Sequence, residues 1–363
     1  MTASNQLKKI ETRMESLSES LSRNGQRRPL SKYHINTFEP GKKGRIAKGK
    51  IQHGSERTSD TQQETNNGQV KVVASEGLDK RLALRKLPST TRSMKLSDFE
   101  IGKVLGKGKL GKVYCARHKP SGYIAALKVM SKKDLVELKL EKNFCREIEI
   151  QSSVIHPQIS RLYGFFYDHK NVYLILEYSL YGELYFHLKL QRRFEDIRAS
   201  YYVYQVALAL QYLHCRHIIH RDIKPENILL SLNDTVKLSD FGWSVRNSPS
   251  INKRLTICGT LDYLPPEMIE SNEHDYTVDI WALGILCFEF LVGRPPFEEV
   301  DKNSTYKRIA KVDLKIPSFV SKEASDLITK LLQKNPRKRI SLTEVLNHPW
   351  ITKNKASWNR QTT

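Results

Sequence analysis

The octamer HRDIKPEN, His220 to Asn227, followed thirteen residues later by the triplet DFG, Asp240 to Gly242, constrains this chain more tightly than any other feature. Asp222 is placed to accept a hydroxyl proton and orient that oxygen as a nucleophile. Lys224 is placed to offset charge on a phosphoryl group in transfer. Asn227 and Asp240 are placed to hold a Mg²⁺ that bridges phosphates. An octamer of this type, lying in order between a glycine loop with its strand lysine and a DFG, leaves chance a negligible share.

The glycine loop is Gly106-Lys107-Gly108-Lys109-Leu110-Gly111-Lys112-Val113, which fits G-x-G-x-x-G-x-V. Missing Cβ atoms let the backbone approach phosphate oxygens closely, with its amides aimed at them. Taken alone the match is weak, because such loops also occur in plain hairpins and in dinucleotide folds. A dinucleotide fingerprint would open a helix, whereas here a second strand follows. Lys128 stands in the middle of the apolar strand AALKVM, where an unpaired ammonium is costly. Glu147, in the helical stretch FCREIEI, can supply the partner, and the pair can hold Lys128 against the α- and β-phosphates of a nucleotide. Glu149 is the rival carboxylate; register favours Glu147.

Around these motifs the hydrophobic pattern changes period. FEIGKVLGKGKLGKVYCAR alternates about its glycine loop as a hairpin does, AALKVM continues as a strand, and NVYLILEY reads as a buried strand. Glu137 to Ser153 carries helix formers at 3.6 spacing, and from Asp196 onward ASYYVYQVALALQYLH and TVDIWALGILCFEFLVG predict long helices. A strand-rich lobe followed by a helical lobe is the expected architecture. Glu267 of LPPEM and Arg339 of NPRKRI are expected to pair as a buried bridge, and Asp279 of DIWALG to anchor the octamer from a core helix.

Composition bounds the rest. The 363 residues carry 60 Lys and Arg against 39 Asp and Glu, a net charge of +21, which predicts attraction to anionic partners. Residues 1–97 hold 20 basic and 9 acidic residues, a net of +11, so this end is about three times as densely positive as the remainder. From about Asn24 to Arg92 the sequence is polar and nearly free of aromatics, and it is expected to be disordered. Before it, Leu7, Ile10, Met14, Leu17 and Leu21 recur at 3, 4, 3, 4 spacing, one stripe of a short amphipathic helix over 7–21 that needs a partner. The cluster KKGRIAKGK, Lys42 to Lys50, suits nuclear import or a phosphate-bearing surface, or is a solvated linker. Five scattered cysteines, odd in number and without a CxxC pair, argue against a disulfide framework or a zinc site. Without a secretory signal or an apolar run approaching ~20 residues, the expectation is an intracellular protein with no membrane contact.

With these residues in hand, the chain resembles a eukaryotic Ser/Thr protein kinase from about Phe99 to Trp350. DFGWS, CGTLDYLPPEM and YGELYFHL resemble the Aurora kinase family in particular. The resemblance implies an α+β, bilobal protein kinase fold, with five antiparallel strands and a regulatory helix in the small lobe, a larger helical lobe, and ATP with Mg²⁺ in the cleft between. It divides the chain into a basic tail at 1–95, a kinase domain at 99–350 and a short C-terminal tail at 351–363. By position it makes Glu177 to Ser179 the hinge, reading adenine through the Glu177 carbonyl and the Ser179 amide. Leu176 stands at the back-pocket gate, and Leu105, Val113 and Ala126 sandwich the ring. Gln151, one helical turn after Glu147, puts a polar group in the regulatory stack, as Aurora kinases do, and suggests a helix that is easily loosened and needs an activator. Leu110 departs from the family, which usually has Phe there. Glu183 is similar to the chromosomal-passenger type and Gly164 to the spindle-pole type; the expectation is a single-copy, fungal-style, chromosomal-passenger Aurora.

Glu183, Glu226 and Glu289 occupy positions that in basophilic kinases line the cleft for residues upstream of the phosphoacceptor, which predicts Arg two or three residues before the Ser or Thr. Three ordinary surface glutamates are the plainer reading. Thr256, in NKRLTICGT between DFG and LPPEM, is the expected activating phosphoacceptor, its phosphate pairing with Arg146, Arg221 or Arg254. Arg254 stands two residues before it, so the kinase is expected to modify itself in trans. Thr260 falls where the family has its substrate-positioning threonine. Expected partners are basic protein substrates such as histone tails and kinetochore proteins, an inner-centromere-protein-like activating scaffold or a spindle-targeting factor near the regulatory helix, and chromatin or microtubules through the tail. The resemblance implies work in mitosis: chromosome segregation, kinetochore–microtubule attachment and histone phosphorylation, at nucleus, centromere, kinetochore and spindle, with cytoplasm also open. Two other classes compete: a pseudokinase scaffold, and a tail-driven chromatin or microtubule binder.

Overall fold

A computed structural model of the chain describes residues 11–17, 19, 94–108, 111–246 and 259–358. Lys109, Leu110, Arg254, Thr256 and Cys258 lie outside the described residues, as does most of the basic tail. The N-terminal part of the domain is a five-stranded antiparallel sheet in the order β1-β2-β3-β5-β4. Its strands are β1 (Phe99–Gly108), β2 (Gly111–His118), β3 (Ile124–Ser131), β4 (Leu162–Tyr167) and β5 (Asn171–Glu177). Helix α1 covers 11–17, and α2 (Lys132–Glu137) and α3 (Glu141–Ser152) follow β3.

Period-two alternation gives this sheet two different faces. Ala126, Lys128 and Met130 of β3 stand opposite Leu176, Leu174 and Val172 of β5, and Val113 of β2 stands opposite Lys128. The alternate residues Ala125, Leu127, Tyr173 and Ile175 form a separate core with Phe99, Ala116 and Phe166. The face that carries Lys128 is therefore the one whose Met130, Val172 and Leu174 pack with Phe144 and Ile148 of α3. Where β1 turns into β2, a side chain on Gly111 would put its Cβ 1.9 Å from the Val129 carbonyl oxygen, so only glycine lets β2 lie this close to β3.

One sequence expectation needs correction here. The helical pattern over Glu137 to Ser153 is not one helix: α2 ends at Glu137, Lys139 takes a left-handed φ of 55°, and α3 begins at Glu141. Periodicity runs across the break because Val136, Phe144 and Ile148 all face the same apolar cluster from two helices.

The larger lobe is built on α5 (Asp196–His214) and α7 (Thr277–Val292), with α4 (Leu184–Gln191) and α6 (Pro266–Ile269) before them in chain order and α8 (Lys302–Lys311), α9 (Lys322–Leu331), α10 (Leu342–Leu346) and α11 (Pro349–Lys355) around them. Every residue of α7 from Thr277 to Leu291 is buried, as expected of a helix apolar on all sides at the centre of a lobe. Gly284 lets α9 approach it, since a Cβ there would meet Leu331 and Leu332 atoms at 2.7–2.9 Å. Short strands hang the catalytic segments on this scaffold: β6 (Gly182–Glu183) and β9 (Val236–Leu238) flank β8 (Ile228–Leu230), and β10 (Val245–Arg246) pairs with β7 (Ile218–Ile219). The segment expected as a C-terminal tail begins inside α11. Ile351 and Asn354 are buried, and the Trp358 indole donates to Ser200 Oγ at 3.1 Å, so its described part is packed onto α5.

Candidate active site

The Lys128 ammonium reaches Glu147 Oε1 at 2.7 Å, an ion pair that joins β3 to α3. Glu147 is 4% exposed, whereas Glu149 points outward and lies 3.5 Å from Arg13, so the register argument selected the correct carboxylate. Burial alone would lower the Lys128 pKa; the carboxylates of Glu147 and then Asp240 outweigh it, and the ammonium is held charged well above its ordinary range. Asp240 is the converse. Burial would raise it, but Lys128 and the Gly242 amide, 3.2 Å from Oδ1, bring its pKa below the usual carboxylate value.

The octamer wraps around one buried carboxylate of α7. Asp279 accepts from the amides of His220 at 2.9 Å and Arg221 at 2.8 Å and from His214 Nε2 at 2.8 Å. Burial would raise its pKa, but the His214 bond and charge, with the His220 charge and the Arg221 amide, take it below the ordinary value. Arg221 and Asp240 both sit at positive φ, 69° and 58°, a backbone cost of about 1–3 kcal/mol each that the surrounding bonds hold in place.

Held in this way, Asp222 is 6% exposed and surrounded by donors. Asn227 Nδ2 donates to its Oδ2 at 2.7 Å and to its carbonyl at 2.8 Å, Lys224 Nζ lies 3.0 Å from Oδ2, and Thr260 Oγ1 donates to Oδ1 at 3.4 Å. Lys224 also donates to Thr260 Oγ1 at 2.8 Å, which fastens the segment after residue 258 to the catalytic loop. Gly259, at φ 105° and with its Cβ direction 3.0 Å from the Arg221 carbonyl oxygen, is the residue that permits this approach.

Of the nucleotide-side residues, Gly106, Lys107 and Gly108 at the end of β1 pair with Val113, Lys112 and Gly111 at the start of β2, while Leu105 is exposed, Val113 half-buried and Ala126 buried. Val113, Ala126 and Lys128 share one face of the sheet. At the end of β5, Glu177 is occupied on both sides: Oε1 lies 2.7 Å from Lys237 Nζ, and Oε2 accepts the Arg161 amide at 3.1 Å. Ser179, 8% exposed, has a buried hydroxyl without a hydrogen-bond partner among the described residues. Arg146 is half-buried on α3 and Arg221 donates through Nε to the Trp243 carbonyl at 2.8 Å. Gln151, whose polarity suggested a loosely held helix, is 3% exposed and donates to the Ser160 carbonyl at 3.1 Å, so it ties α3 down at that end.

Glu226 lies close enough to both Glu183 and Glu289 for its charge to act on each, although the three are far apart in sequence. Burial and the charge of Glu226 raise Glu183, and burial raises Glu289 to about 7, with Glu226 adding to it against a hydrogen bond donated by the Tyr263 phenol.

A match to the protein kinase domain family covers residues 99–351. An Aurora kinase from Debaryomyces hansenii is 69% identical over 363 residues, 99% of this chain and 88% of that protein. One from Saccharomyces cerevisiae is 56% identical over 277 residues, 76% of this chain and 75% of that protein. An Aurora kinase A-A from Xenopus laevis is 56% identical over 259 residues, 71% of this chain and 63% of that protein. The chain belongs to the Aurora kinase family. Aurora kinases are serine/threonine protein kinases, and this chain is an enzyme of that family, with the bilobal fold it requires.

Protein kinases use ATP and Mg²⁺, and the donor set of this Aurora kinase fits both. Asn227 commits its NH₂ to Asp222, which leaves the amide oxygen for a cation beside the ionised Asp240. Among the described residues no group of three or more His, Cys, Asp or Glu side chains is placed to hold a metal ion by itself. Few protein oxygens suit Mg²⁺, which takes much of its shell from phosphate and water. Sequence reasoning missed three supporting residues. His214 steadies Asp279, Tyr263 donates to Glu289, and Lys237 neutralises Glu177. His214 and Lys237 stand outside the motifs, and Tyr263, though inside CGTLDYLPPEM, is related to Glu289 only by the fold.

Proposed function

We propose that this Aurora kinase transfers the γ-phosphoryl group of ATP to Ser or Thr hydroxyls with Arg two or three residues upstream, and that Thr256 is its activating phosphoacceptor. The observation that carries the reading is Asp222, a nearly buried carboxylate fixed by Asn227 and Lys224 and contacted by Thr260, with Lys128 and Asp240 both charged nearby. In this scheme Asp222 accepts the acceptor hydroxyl's proton and orients its oxygen, Lys224 offsets charge on the group in transfer, and Lys128, held by Glu147, positions the α- and β-phosphates. Mg²⁺, held by Asp240 and Asn227, neutralises phosphate charge when bound. The hinge through Ser179 and the apolar Leu105, Val113 and Ala126 take the adenine. The pseudokinase alternative needs a missing catalytic group, and Lys128, Asp222, Asn227 and Asp240 are all present.

Peptide specificity tests the acidic cluster. Replacing Arg by Ala two residues before the acceptor is expected to lower kcat/KM about 10- to 100-fold, the worth of a charge-assisted hydrogen-bonded pair. Equal turnover of both peptides would reject the cluster as a reader of arginine. Because burial raises Glu289 to about 7, the carboxylate gains its charge as pH rises through that value. KM for the Arg peptide should therefore fall from pH 6 to pH 8, and Glu289→Gln should flatten the profile. The stability contribution runs the other way. The folded state holds this proton more tightly than the unfolded chain, so stability is lost as pH rises from the ordinary carboxylate range toward 7.

Thr256 with its preceding Arg254 resembles the proposed substrate, which supports modification in trans between two copies, with Arg146 and Arg221 as further partners for the phosphate. Asp222→Ala protein produced without other kinases should carry no phosphate on Thr256 by mass spectrometry, and full occupancy would end the idea. Family membership further supports a mitotic role in chromosome segregation, kinetochore–microtubule attachment and histone phosphorylation, with an inner-centromere-protein-like scaffold as activator and the basic tail as a contact for chromatin or microtubules. Tagged full-length protein should then concentrate at nucleus, centromere and spindle during mitosis. Deletion of 1–95 should disperse it while peptide phosphorylation persists.

A further inference from the structure

Outside the cleft, the small lobe holds a second built feature, the seat of α1. Met14 is completely buried, in a cluster with Met130 of β3, Leu135 and Val136 of α2, Phe144, Cys145 and Ile148 of α3, and residues of β4 and β5; Leu17 packs at its edge. A helix this short is unstable alone in water, so its folding depends on that seat. Beside Met14 lies a lysine that ordinary surface chemistry does not explain. The Lys132 side chain is 2% exposed, and its ammonium meets Glu11 Oε1 at 2.5 Å and the face of Tyr167 at 4.8 Å from the ring centre. Arg13 lies 3.5 Å from Glu149 of α3, and burial, with the charges of Glu15 and Glu11, raises the pKa of the Tyr167 phenol.

We propose that the groove between α2, α3 and β4 is a docking site for an amphipathic helix, that its occupant is this chain's own residues 11–17, and that the docked helix braces α3. The groove selects its occupant by charge as well as by shape. Buried Lys132 requires a carboxylate one turn before an apolar side chain, and the pair Glu11 and Met14 supplies it; Glu149 on the rim takes Arg13. The occupant comes from the same chain. The connection over residues 20–93, at up to ~3.3–3.6 Å per residue, reaches the groove easily, and tethering of this kind gives effective concentrations around the millimolar range.

The brace acts where the small lobe is weakest. Between α2 and α3 the chain breaks at Leu138 to Leu140, and α1 spans that break, touching Lys132 at the start of α2 and Glu149 on α3. Gln151 holds the other end of α3 to the Ser160 carbonyl. Glu147 lies between the two attachments, so α1 is a positioning element for the Lys128–Glu147 pair and contacts no reacting atom. Its effect on turnover rests on the kinase reading above; its docking does not.

Amide hydrogen exchange of the full-length protein separates the two. Met14→Asp should speed exchange in residues 141–152 about tenfold or more, as expected from loss of one buried methionine from a local closing equilibrium, and should lower kcat/KM. Glu11→Lys should act in the same direction, and Glu11→Lys with Lys132→Glu should restore both readouts, which a purely structural loss would not do. Unchanged exchange in Met14→Asp, or no recovery in the double variant, overturns the proposal. Protection of 141–152 that is independent of protein concentration supports docking within one chain; protection lost on dilution shows docking between copies and overturns it. The same exchange pattern in Asp222→Ala protein, whose turnover should be greatly reduced, supports docking apart from catalysis, and its absence there counts against it.

Discussion

Asp222→Ala should lower kcat for phosphate transfer to a basic peptide by about 10²–10⁴-fold, the usual contribution of a positioned general base, while KM for ATP changes little. The reasoning starts from its contacts. Asn227 and Lys224 fix one carboxylate oxygen, and Thr260, in the segment between DFG and LPPEM, touches the other. None of these bonds reaches the strand face where Lys128 and Ala126 await the nucleotide, so binding and transfer are separable. Asp222→Asn keeps the shape of the side chain but cannot take a proton, and it should be nearly as inactive. Single-turnover transfer to a peptide from radiolabelled ATP, with the melting temperature as a check on folding, measures both. Unchanged incorporation in Asp222→Ala would mean that transfer does not use this carboxylate, and the role assigned to the octamer would fail.

Much of this arrangement was legible before the fold was known, because the chemistry of transfer imposes residue types at short spacings. Lys128 announced its need for a partner simply by interrupting an apolar strand, and helical register chose Glu147 over Glu149. Burial of Glu147 and the outward course of Glu149 follow from the same 3.6-residue period. Asp279, Glu267 and Arg339 were found by their motifs, and each makes the contact expected of it.

What escaped has a common physical cause. The break at Lys139 left the apolar period intact, since α2 and α3 offer their residues to one cluster, and a period cannot reveal a left-handed residue between two helices. Gln151 suggested weakness by type alone, yet its value depends on an acceptor nine residues away in sequence, the Ser160 carbonyl. The stripe from Leu7 to Leu21 was recognised as a helix in want of a partner. Its partner is assembled from β3, α2, α3, β4 and β5, and no local pattern encodes such a surface; Leu7, Ile10 and Leu21 lie outside the described residues. Burial of Lys132 was equally hidden, because a lysine at the end of a strand reads as solvated until Glu11 is placed on it.

The largest loss of stability is expected from Glu267→Ala. Arg339 meets Glu267 through two parallel bonds, Nη1 to Oε1 at 2.6 Å and Nη2 to Oε2 at 2.7 Å, with its side chain fully buried. The same guanidinium donates to the Thr277 carbonyl at 2.9 Å and the Gln333 carbonyl at 3.0 Å, and it lies over the Trp281 ring. Removing the carboxylate strands a charge in the core, which costs about 3–5 kcal/mol. For a domain of this size that corresponds to a fall in melting temperature of roughly 6–20 °C. Arg339→Met with Glu267→Met removes both charges and should cost less than the single change, but not nothing, because the Thr277 and Gln333 carbonyls lose their donors at about 1–3 kcal/mol for each buried acceptor left unpaired. Urea denaturation of the unsubstituted protein and the two variants measures the ordering. If the double variant proved less stable than Glu267→Ala, the ion pair would be stabilising in its own right. The ordering predicted here instead makes the bridge a device of position: it holds α6, with the segment leading from Thr260, against α7, whose Asp279 in turn holds the catalytic loop.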